Sequence, residues 1–421
     1  MSASRSGPSA RHNDAVGDDG DRLRQVTWLA SPQAAEPRQQ ARDLLSAHDP
    51  LVAATRLRQA LPELPVELAA ACLEQAALAR QAADRYGIEA YLLLTRDGLE
   101  AATRPEVASR RAALIAGSGA RRVVDLTGGL GFDTSAFLAA GLAVTAVERD
   151  PAIAVALAHN CPSATVVNGE ATAVLPDLLP TLGPEDVVFV DPARRDPLGP
   201  RDARTARARP ERDPERWSPS WSFVAGIPHP RVAAKVSPGF APPPTWQAEW
   251  VSVDRALVEC AVYSWPLLTS SRQAVVFTGD RSLDMPADDA ALPVAHSLGT
   301  WLAEPDPAVL RAGALPALAA QEGLMSAGAR STWLTGDHAP ASHVLRGFQV
   351  VAELTGSTKQ QRRALADLGI ARLTVKSRDV EVEPASVLRA LGVSEGGRHV
   401  LVVTRRDDHV VSVVTEPAPA R

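Results

Sequence analysis

Three apolar runs in the first half of the chain each end in an acidic residue: Val123-Val-Asp-Leu-Thr-Gly-Gly-Leu-Gly-Phe-Asp133, Val144-Thr-Ala-Val-Glu148 and Val187-Val-Phe-Val-Asp-Pro-Ala-Arg-Arg195. Short apolar runs separated by helix-length segments predict the parallel strands of an open α/β sheet, which presents its strand ends to a ligand. Asp125, Glu148 and Asp191 fall at those ends. Gly128, Gly129 and Gly131 let the backbone turn sharply and approach a ligand with no Cβ in the way.

A helix is predicted from about Asp133 to Ala140. A pyrophosphate-binding turn of the G-x-G-x-x-G type needs a glycine three residues after Gly131, and Thr134 stands there. Glu148 is placed to accept from two ribose hydroxyls and would repel a ribose phosphate. After the third strand, Ala164-Thr-Val-Val167, Glu170 offers a carboxylate to the amino group of an adenine. Together these residues describe a nucleoside site without phosphates. Taken singly they have structural roles as well: Asp133 as a helix N-cap, and Asp150 before Pro151 as another.

The residues Asp125-Leu-Thr-Gly-Gly-Leu-Gly131, Asp191-Pro-Ala-Arg-Arg195, Lys235-Val-Ser-Pro-Gly239, Glu249-Trp-Val-Ser-Val253, Glu304-Pro-Asp-Pro-Ala-Val-Leu-Arg-Ala-Gly313 and Leu334-Thr-Gly-Asp337 give the chain a resemblance. It resembles the class I S-adenosylmethionine-dependent methyltransferases, in the bacterial branch with a C-terminal THUMP-like domain, from about Leu92 to Arg405. The resemblance implies an α/β, Rossmann-like methyltransferase sheet with S-adenosyl-L-methionine as cofactor. It also implies cofactor contacts from Asp125, Thr127, Gly129, Gly131, Glu148, Glu170 and Asp191: the methionine part at Asp125 and the glycine turn, the ribose at Glu148, the adenine at Glu170.

Two positions depart from the relatives. Gly128 stands where they often have cysteine. Ala193 stands where enzymes that methylate nucleic-acid amines have the second proline of Asp-Pro-Pro-aromatic. Asp191 can still accept a hydrogen from a target amine, and Arg194, in place of the aromatic residue, can stack its guanidinium plane on a base. Asp191 and Arg194 are therefore the candidate catalytic residues. Methylation at a pyrimidine carbon would call for a cysteine nucleophile. Only Cys260 is placed for that, and its stretch Val258-Glu-Cys-Ala-Val262 reads as core.

At 421 residues the chain has room for two or three domains. Its three scattered cysteines suggest neither a disulfide framework nor a zinc cluster, so no metal is expected. The first residues lack the apolar core of a secretory signal, and no eighteen-residue apolar run suggests a membrane span, which makes the cytoplasm the expected address. The net charge of −5 gives no overall attraction to phosphate. Locally the balance differs: Arg194, Arg195, Arg201, Arg204, Arg207, Arg209, Arg212 and Arg216 crowd the loop after Asp191. Such a loop either overhangs the site and neutralises RNA phosphates or is a solvated insertion. Trp217 and Trp221 either stack on bases or pin the loop to the core. Arg195, Lys235 and Trp217 are the candidate substrate contacts, although Lys235, on a strand buried on both faces, is equally suited to pair with Asp191.

The expected organisation is a tail at 1–25, a helical domain at 26–116, the methyltransferase domain at 117–280, a linking segment at 281–343, a THUMP-like α+β module at 344–414 and a tail at 415–421. The resemblance implies that the strip at 94–111, at the end of the helical domain, faces the mouth of the site; from the sequence alone, Arg104, Arg110 and Arg111 read as solvated helix face. The module carries Lys359, Arg362, Arg363, Arg372, Lys376, Arg378, Arg405 and Arg406, a basic side for RNA or an ordinary charged surface. The reading that follows is an S-adenosylmethionine-dependent methyltransferase acting on a base nitrogen in tRNA or rRNA. The alternatives are a methyltransferase for a protein or small molecule, and a catalytically silent RNA-binding protein that keeps the fold.

Overall fold

The computed structural model describes residues 10–88, 92–194 and 211–418. Arg195 and the arginines at 201, 204, 207 and 209 lie outside the described residues. The chain divides after Lys235 into two compact units.

The first unit begins with six helices: α1 (Ala10–Ala30), α2 (Ala35–Ala47), α3 (Pro50–Ala60), α4 (Val66–Tyr86), α5 (Arg96–Ala101) and α6 (Pro105–Gly117). Local chemistry sets their ends. Asp49 caps α3 by accepting from the Leu51 and Val52 amides, with Pro50 in the first turn where its missing N–H costs nothing. Gly87, at φ +65°, closes α4 in the left-handed conformation. Part of the tail expected at 1–25 is helical, because α1 starts at Ala10. Its last turns are tied down by burial of Leu29 and by an Arg22–Asp150 ion pair at 2.7 Å.

After the helices the chain alternates strand and helix: β1 (Arg122–Asp125), α7 (Phe132–Ala139), β2 (Ala143–Glu148), α8 (Pro151–Asn160), β3 (Thr165–Asn168), α9 (Ala171–Leu178), β4 (Val187–Val190), α10 (Trp221–Ala225) and β5 (Val232–Val236). The strands run parallel in the order β3-β2-β1-β4-β5. The order reverses at β1, which places the ligand crevice at the carboxyl ends of β1 and β4. The helices and the sheet share a core, since Leu57, Cys72, Leu78 and Leu99 cluster with Leu130 and Ala156 from the α/β part. The boundary expected at 116/117 is therefore packed through.

The second unit holds β6 (Gln247–Val253), β7 (Ala256–Tyr263), β8 (Arg272–Thr278) and β9 (Arg281–Pro286), ordered β7-β6-β8-β9. A seven-stranded sheet follows, with β10 (Trp301–Pro305), α11 (Pro307–Ala312), α12 (Leu315–Glu322), β11 (Met325–Ser326), β12 (Leu334–Gly336), β13 (Leu345–Leu354), α13 (Thr358–Asp367), β14 (Arg372–Ser377), α14 (Pro384–Leu391), β15 (Ser394–Arg406) and β16 (His409–Pro417). Its order is β11-β12-β10-β13-β16-β15-β14. Two expectations are corrected here. The segment 281–343 is not a linker: β10, β11 and β12 belong to the sheet of the C-terminal module, and Leu302 and Trp333 are buried in its core beside Phe348. The tail expected at 415–421 begins inside a central strand, for β16 pairs with both β13 and β15 and its Thr415 is fully buried. Among the described residues no helix is long and apolar enough to cross a membrane.

Leu57 is inaccessible at the centre of the shared helical core. Leu57→Ala is expected to cost about 2–5 kcal/mol in urea unfolding. A loss below about 1 kcal/mol would show that the helices do not pack as described.

Candidate active site

The turn after β1 is built around Asp125, which is almost fully buried. One of its oxygens accepts from the Thr127 amide at 3.1 Å and the other from the Thr134 hydroxyl at 2.7 Å. Burial pushes its pKa up to about 7, opposed by the Thr134 and Thr127 hydrogen bonds and assisted by the neighbouring charges of Asp133 and Asp191. Gly129 and Gly131 take φ of +53° and +88°. Gly131 has no room for a side chain either, since a Cβ there would lie 2.5 Å from the Cys161 sulfur.

Glu148, at the tip of β2, accepts from the Gly129 amide at 3.0 Å and from the Asp150 amide at 2.9 Å. These bonds hold the glycine turn against the neighbouring strand and leave lone pairs on each carboxylate oxygen. Burial raises the Glu148 pKa, with those amide bonds acting against it. Glu170 stands at the N-terminus of α9, exposed, 3.8 Å from the Arg149 guanidinium. Asp150 caps α8 as expected.

Asp191 lies just beyond β4. Its amide donates to the Thr127 hydroxyl at 2.6 Å, which ties the end of β4 to the turn after β1. Its Oδ2 forms a close ion pair with Lys235, a residue only 4% exposed. Lys235 also donates to the Thr103 hydroxyl at 2.8 Å, and Thr103 in turn donates to Asp133 at 2.6 Å. Asp133 is paired closely with Arg111, which is 1% exposed and lies 5.2 Å from the centre of the Phe189 ring. A continuous line of alternating charge, Asp191, Lys235, Thr103, Asp133 and Arg111, therefore runs beneath the strand ends.

On this geometry Lys235 and Trp217 take the structural one of the two roles open to each, and the readings of Asp133 and Arg111 change. Lys235 is engaged by Asp191 and Thr103 and does not reach outward to a substrate phosphate. Asp133 is no N-cap, a position held by Gly131; it is a buried anion. Arg111 is no solvated residue. Trp217 is 4% exposed with its indole N–H on the Glu211 carbonyl at 3.2 Å, so it pins the loop and offers no face to a base. Cys260 is fully buried within β7, as expected of a core residue. The resemblance turned the strip at 94–111 toward the mouth of the site, but sequence reasoning did not single out Thr103 and read Arg111 by itself as solvated face. For Arg111 a signal was present: Val107, Ala108, Ala112 and Ile115 mark the buried face of α6, and 111 falls on that face.

Arg194 is half-buried where the described part of the loop ends. Its carbonyl accepts from the Glu211 amide at 2.7 Å, and Ala193 and Ser218 exchange two backbone hydrogen bonds at 2.8 and 3.1 Å. Both ends of the arginine-rich loop are thus stapled together beside Asp191. Among the described residues no group of histidines, cysteines and acids is arranged to hold a metal.

Residues 345–417 match the family described as THUMP domain-like. Two relatives, named as uncharacterized S-adenosylmethionine-dependent methyltransferases of Mycobacterium tuberculosis strains CDC 1551 / Oshkosh and ATCC 25618 / H37Rv, are each 27% identical to the chain over 335 residues. The alignment covers 77% of this chain and 89% of each relative. A crystal structure of a Porphyromonas gingivalis W83 protein, assigned as a methyltransferase, superposes with a TM-score of 0.64 at 20% identity. It covers 95% of this chain and 98% of that one, and it shows the fold.

Removing the Arg111 charge would strand Asp133 in a dry environment, and breaking one side of a buried pair costs about 3–5 kcal/mol. Arg111→Met is expected to lose that much stability in denaturant titrations at neutral pH. Unchanged stability at pH 7 would mean that the pair is solvated.

Proposed function

We propose that the substrate of this S-adenosylmethionine-dependent methyltransferase is RNA, and that the group methylated is a base nitrogen. Two observations support RNA: the THUMP domain-like match over 345–417 and the arginine-rich segment rooted beside Asp191. What supports nitrogen as the acceptor is the carboxylate of Asp191 at the end of β4, held by Lys235 and by the Thr127–Asp191 bond.

The residues at the strand ends fit the cofactor. Asp125 and the turn through Thr127, Gly129 and Gly131 face the methionine part, and the buried Asp125 carboxylate suits a cationic group. Glu148, already fixed by two amides, keeps lone pairs for the two ribose hydroxyls, and Glu170 is exposed for the adenine amino group. When bound, the cofactor would supply a methyl group for transfer from sulfur to the substrate nitrogen, the S–C electron pair staying on sulfur and the nitrogen's proton leaving to solvent. The protein's own part is placement and electrostatics. Lys235 occupies Oδ2 of Asp191 and balances the carboxylate charge. Among the described residues Oδ1 is the acceptor left for the target N–H, so the nitrogen lone pair is directed away from Asp191. Arg194 lies where a base would enter and offers a planar cation for stacking.

Asp191→Asn tests this most cleanly, because it keeps an oxygen for Lys235 and turns the other atom into a donor. Methyl transfer to cellular RNA, followed with labelled cofactor and by mass spectrometry of nucleosides, is expected to fall by at least about a hundredfold, while cofactor affinity measured by calorimetry changes little. Equal activity in the two forms would refute the role given to Asp191. Absence of RNA methylation by the unaltered enzyme would refute the substrate.

A second test follows from Asp125. Its folded pKa, about 7, lies above the ordinary value of 3.8, so in the free protein the carboxyl is increasingly protonated as pH falls below 7. A cationic ligand favours the ionised form. Affinity for the cofactor is therefore expected to weaken by up to about tenfold per pH unit below 7 and to level off above it, with proton release on binding near pH 6. Asp125→Asn should flatten the profile. A pH-independent affinity in the unaltered protein would exclude this linkage.

A further inference from the structure

The C-terminal sheet carries a cluster of charge with no part in the strand-end site. Glu304 on β10 is buried, and its carboxylate receives three cations: Lys376 at 2.9 and 2.8 Å, Arg378 at 3.4 Å and Arg255 at 3.4 Å. Arg346 stands directly across from Glu304 in the β10–β13 pairing. Both Arg346 and Lys376 lie over the Phe348 ring, at 5.3 and 5.6 Å from its centre. Three strands separate β10 from β14 in the sheet order, yet Glu304 and Lys376 touch, so the sheet curls and these side chains share its concave face.

The charges do not balance. Arg255, Arg346, Lys376 and Arg378 are four cations. Glu304 and Asp306 are two anions, and Asp306 is already held by the Ser252 hydroxyl and the Ala308 amide. The accessibility is also one-sided: the Glu304 side chain is 8% exposed, whereas those of Arg255, Lys376 and Arg378 are 24–28% exposed and Arg346 is exposed. The carboxylate is the most buried group; Arg255 and Arg378 also donate to the Glu304 and Pro305 carbonyls, and Arg346 is the most exposed of the cations. Arg255 sits in the β6–β7 turn at φ +67°, next to Asp254 at +48°, where glycine or asparagine would be less strained. Its Nη1 has no hydrogen-bond partner among the described residues. Burial lowers its pKa against the pull of Glu304 and Asp306, and Arg378 and Arg346 crowd it further.

A surplus of two charges over a hidden carboxylate, with Arg346 exposed and Arg255, Lys376 and Arg378 about a quarter exposed, is matched by a tetrahedral oxyanion. We infer that Arg255, Arg346, Lys376 and Arg378 form a phosphate-binding pocket on the C-terminal sheet that grips the backbone of the RNA substrate. This rests on the reading of RNA as substrate and adds where the RNA is held. Glu304 positions the cations and at the same time weakens their hold on the phosphate.

That dual role gives an experiment with opposite signs, using the full chain and fluorescently labelled bulk transfer RNA in anisotropy titrations at several salt concentrations. The Arg346→Ala, Arg378→Gln double variant is expected to bind about tenfold more weakly, with a salt dependence shallower by roughly 0.7–0.9 for each phosphate that is no longer neutralised. Glu304→Gln, which frees the cations from their carboxylate, is expected to bind at least about threefold more tightly even though it melts at a lower temperature. A merely structural cluster would give weaker or unchanged binding in Glu304→Gln, and that result overturns the pocket while leaving RNA as substrate if the unaltered protein binds. No binding of RNA by the unaltered protein overturns both. Calorimetry with inorganic phosphate separates the remaining source: phosphate binding that the double variant loses, with RNA binding unaffected, would assign the pocket to a free anion and overturn the inference.

Discussion

The rest of the first unit depends on keeping charge beneath the sheet's carboxyl edge. Asp125, Asp133 and Asp191 converge there from β1, α7 and β4, and carboxylates near one another repel unless cations lie among them. Arg111 from α6 and Lys235 from β5 supply them, and Thr103 joins the two pairs. Asp125 alone has no cation among its hydrogen-bond partners, so burial displaces its pKa to about 7 with nothing of opposite charge to hold it down. The anion left without a permanent partner is the one a cationic ligand can complete.

This arrangement gives the N-terminal helices a purpose that packing alone does not. Thr103 and Arg111 come from the segment between α5 and β1, so the polar floor of the site is assembled from both the helical region and the sheet. A sheet of the same five strands without α6 and the segment leading into it would leave Asp133 without Arg111 and Lys235 without Thr103. The shared core around Leu57, Leu99 and Leu130 fixes α5 and α6 closely enough for that polar line to form. Nonspecific apolar burial holds the elements together, and the directional bonds set which residues face the crevice.

The strand ends were legible in the sequence because each is a local pattern: an apolar run, an acid, and at β1 a glycine turn with no third glycine. Asp125, Glu148 and Asp191 stand where those patterns put them. The Lys235–Asp191 pair was readable as well, since a lysine on a doubly buried strand needs an anion. Thr103 was not, because nothing local distinguishes it; its role comes from residues 30 and 132 positions away. Arg111 was misread by weighing its charge above its place on the buried stripe of α6. The C-terminal half was harder for a different reason. β11 and β12 are two and three residues long, and β10 is paired across a large sequence gap, so periodicity had too few residues to act on and the segment read as a linker.

The two charged clusters follow opposite designs. Beneath the strand ends, cations and anions alternate and are matched nearly one to one, which keeps the side chains in place and leaves one acid responsive to what binds. On the C-terminal sheet, cations outnumber anions around Glu304, an arrangement that costs folding energy through mutual repulsion and strain at Arg255. Repulsion of that kind is tolerated where an external anion relieves it. A methyl donor that is itself cationic and a polyanionic acceptor make opposite electrostatic demands, and one chain can meet both only by separating them. In the function proposed above, the acidic strand ends are assigned to the first and the basic cluster of the C-terminal sheet to the second, a division that the overall charge of −5 does not reveal.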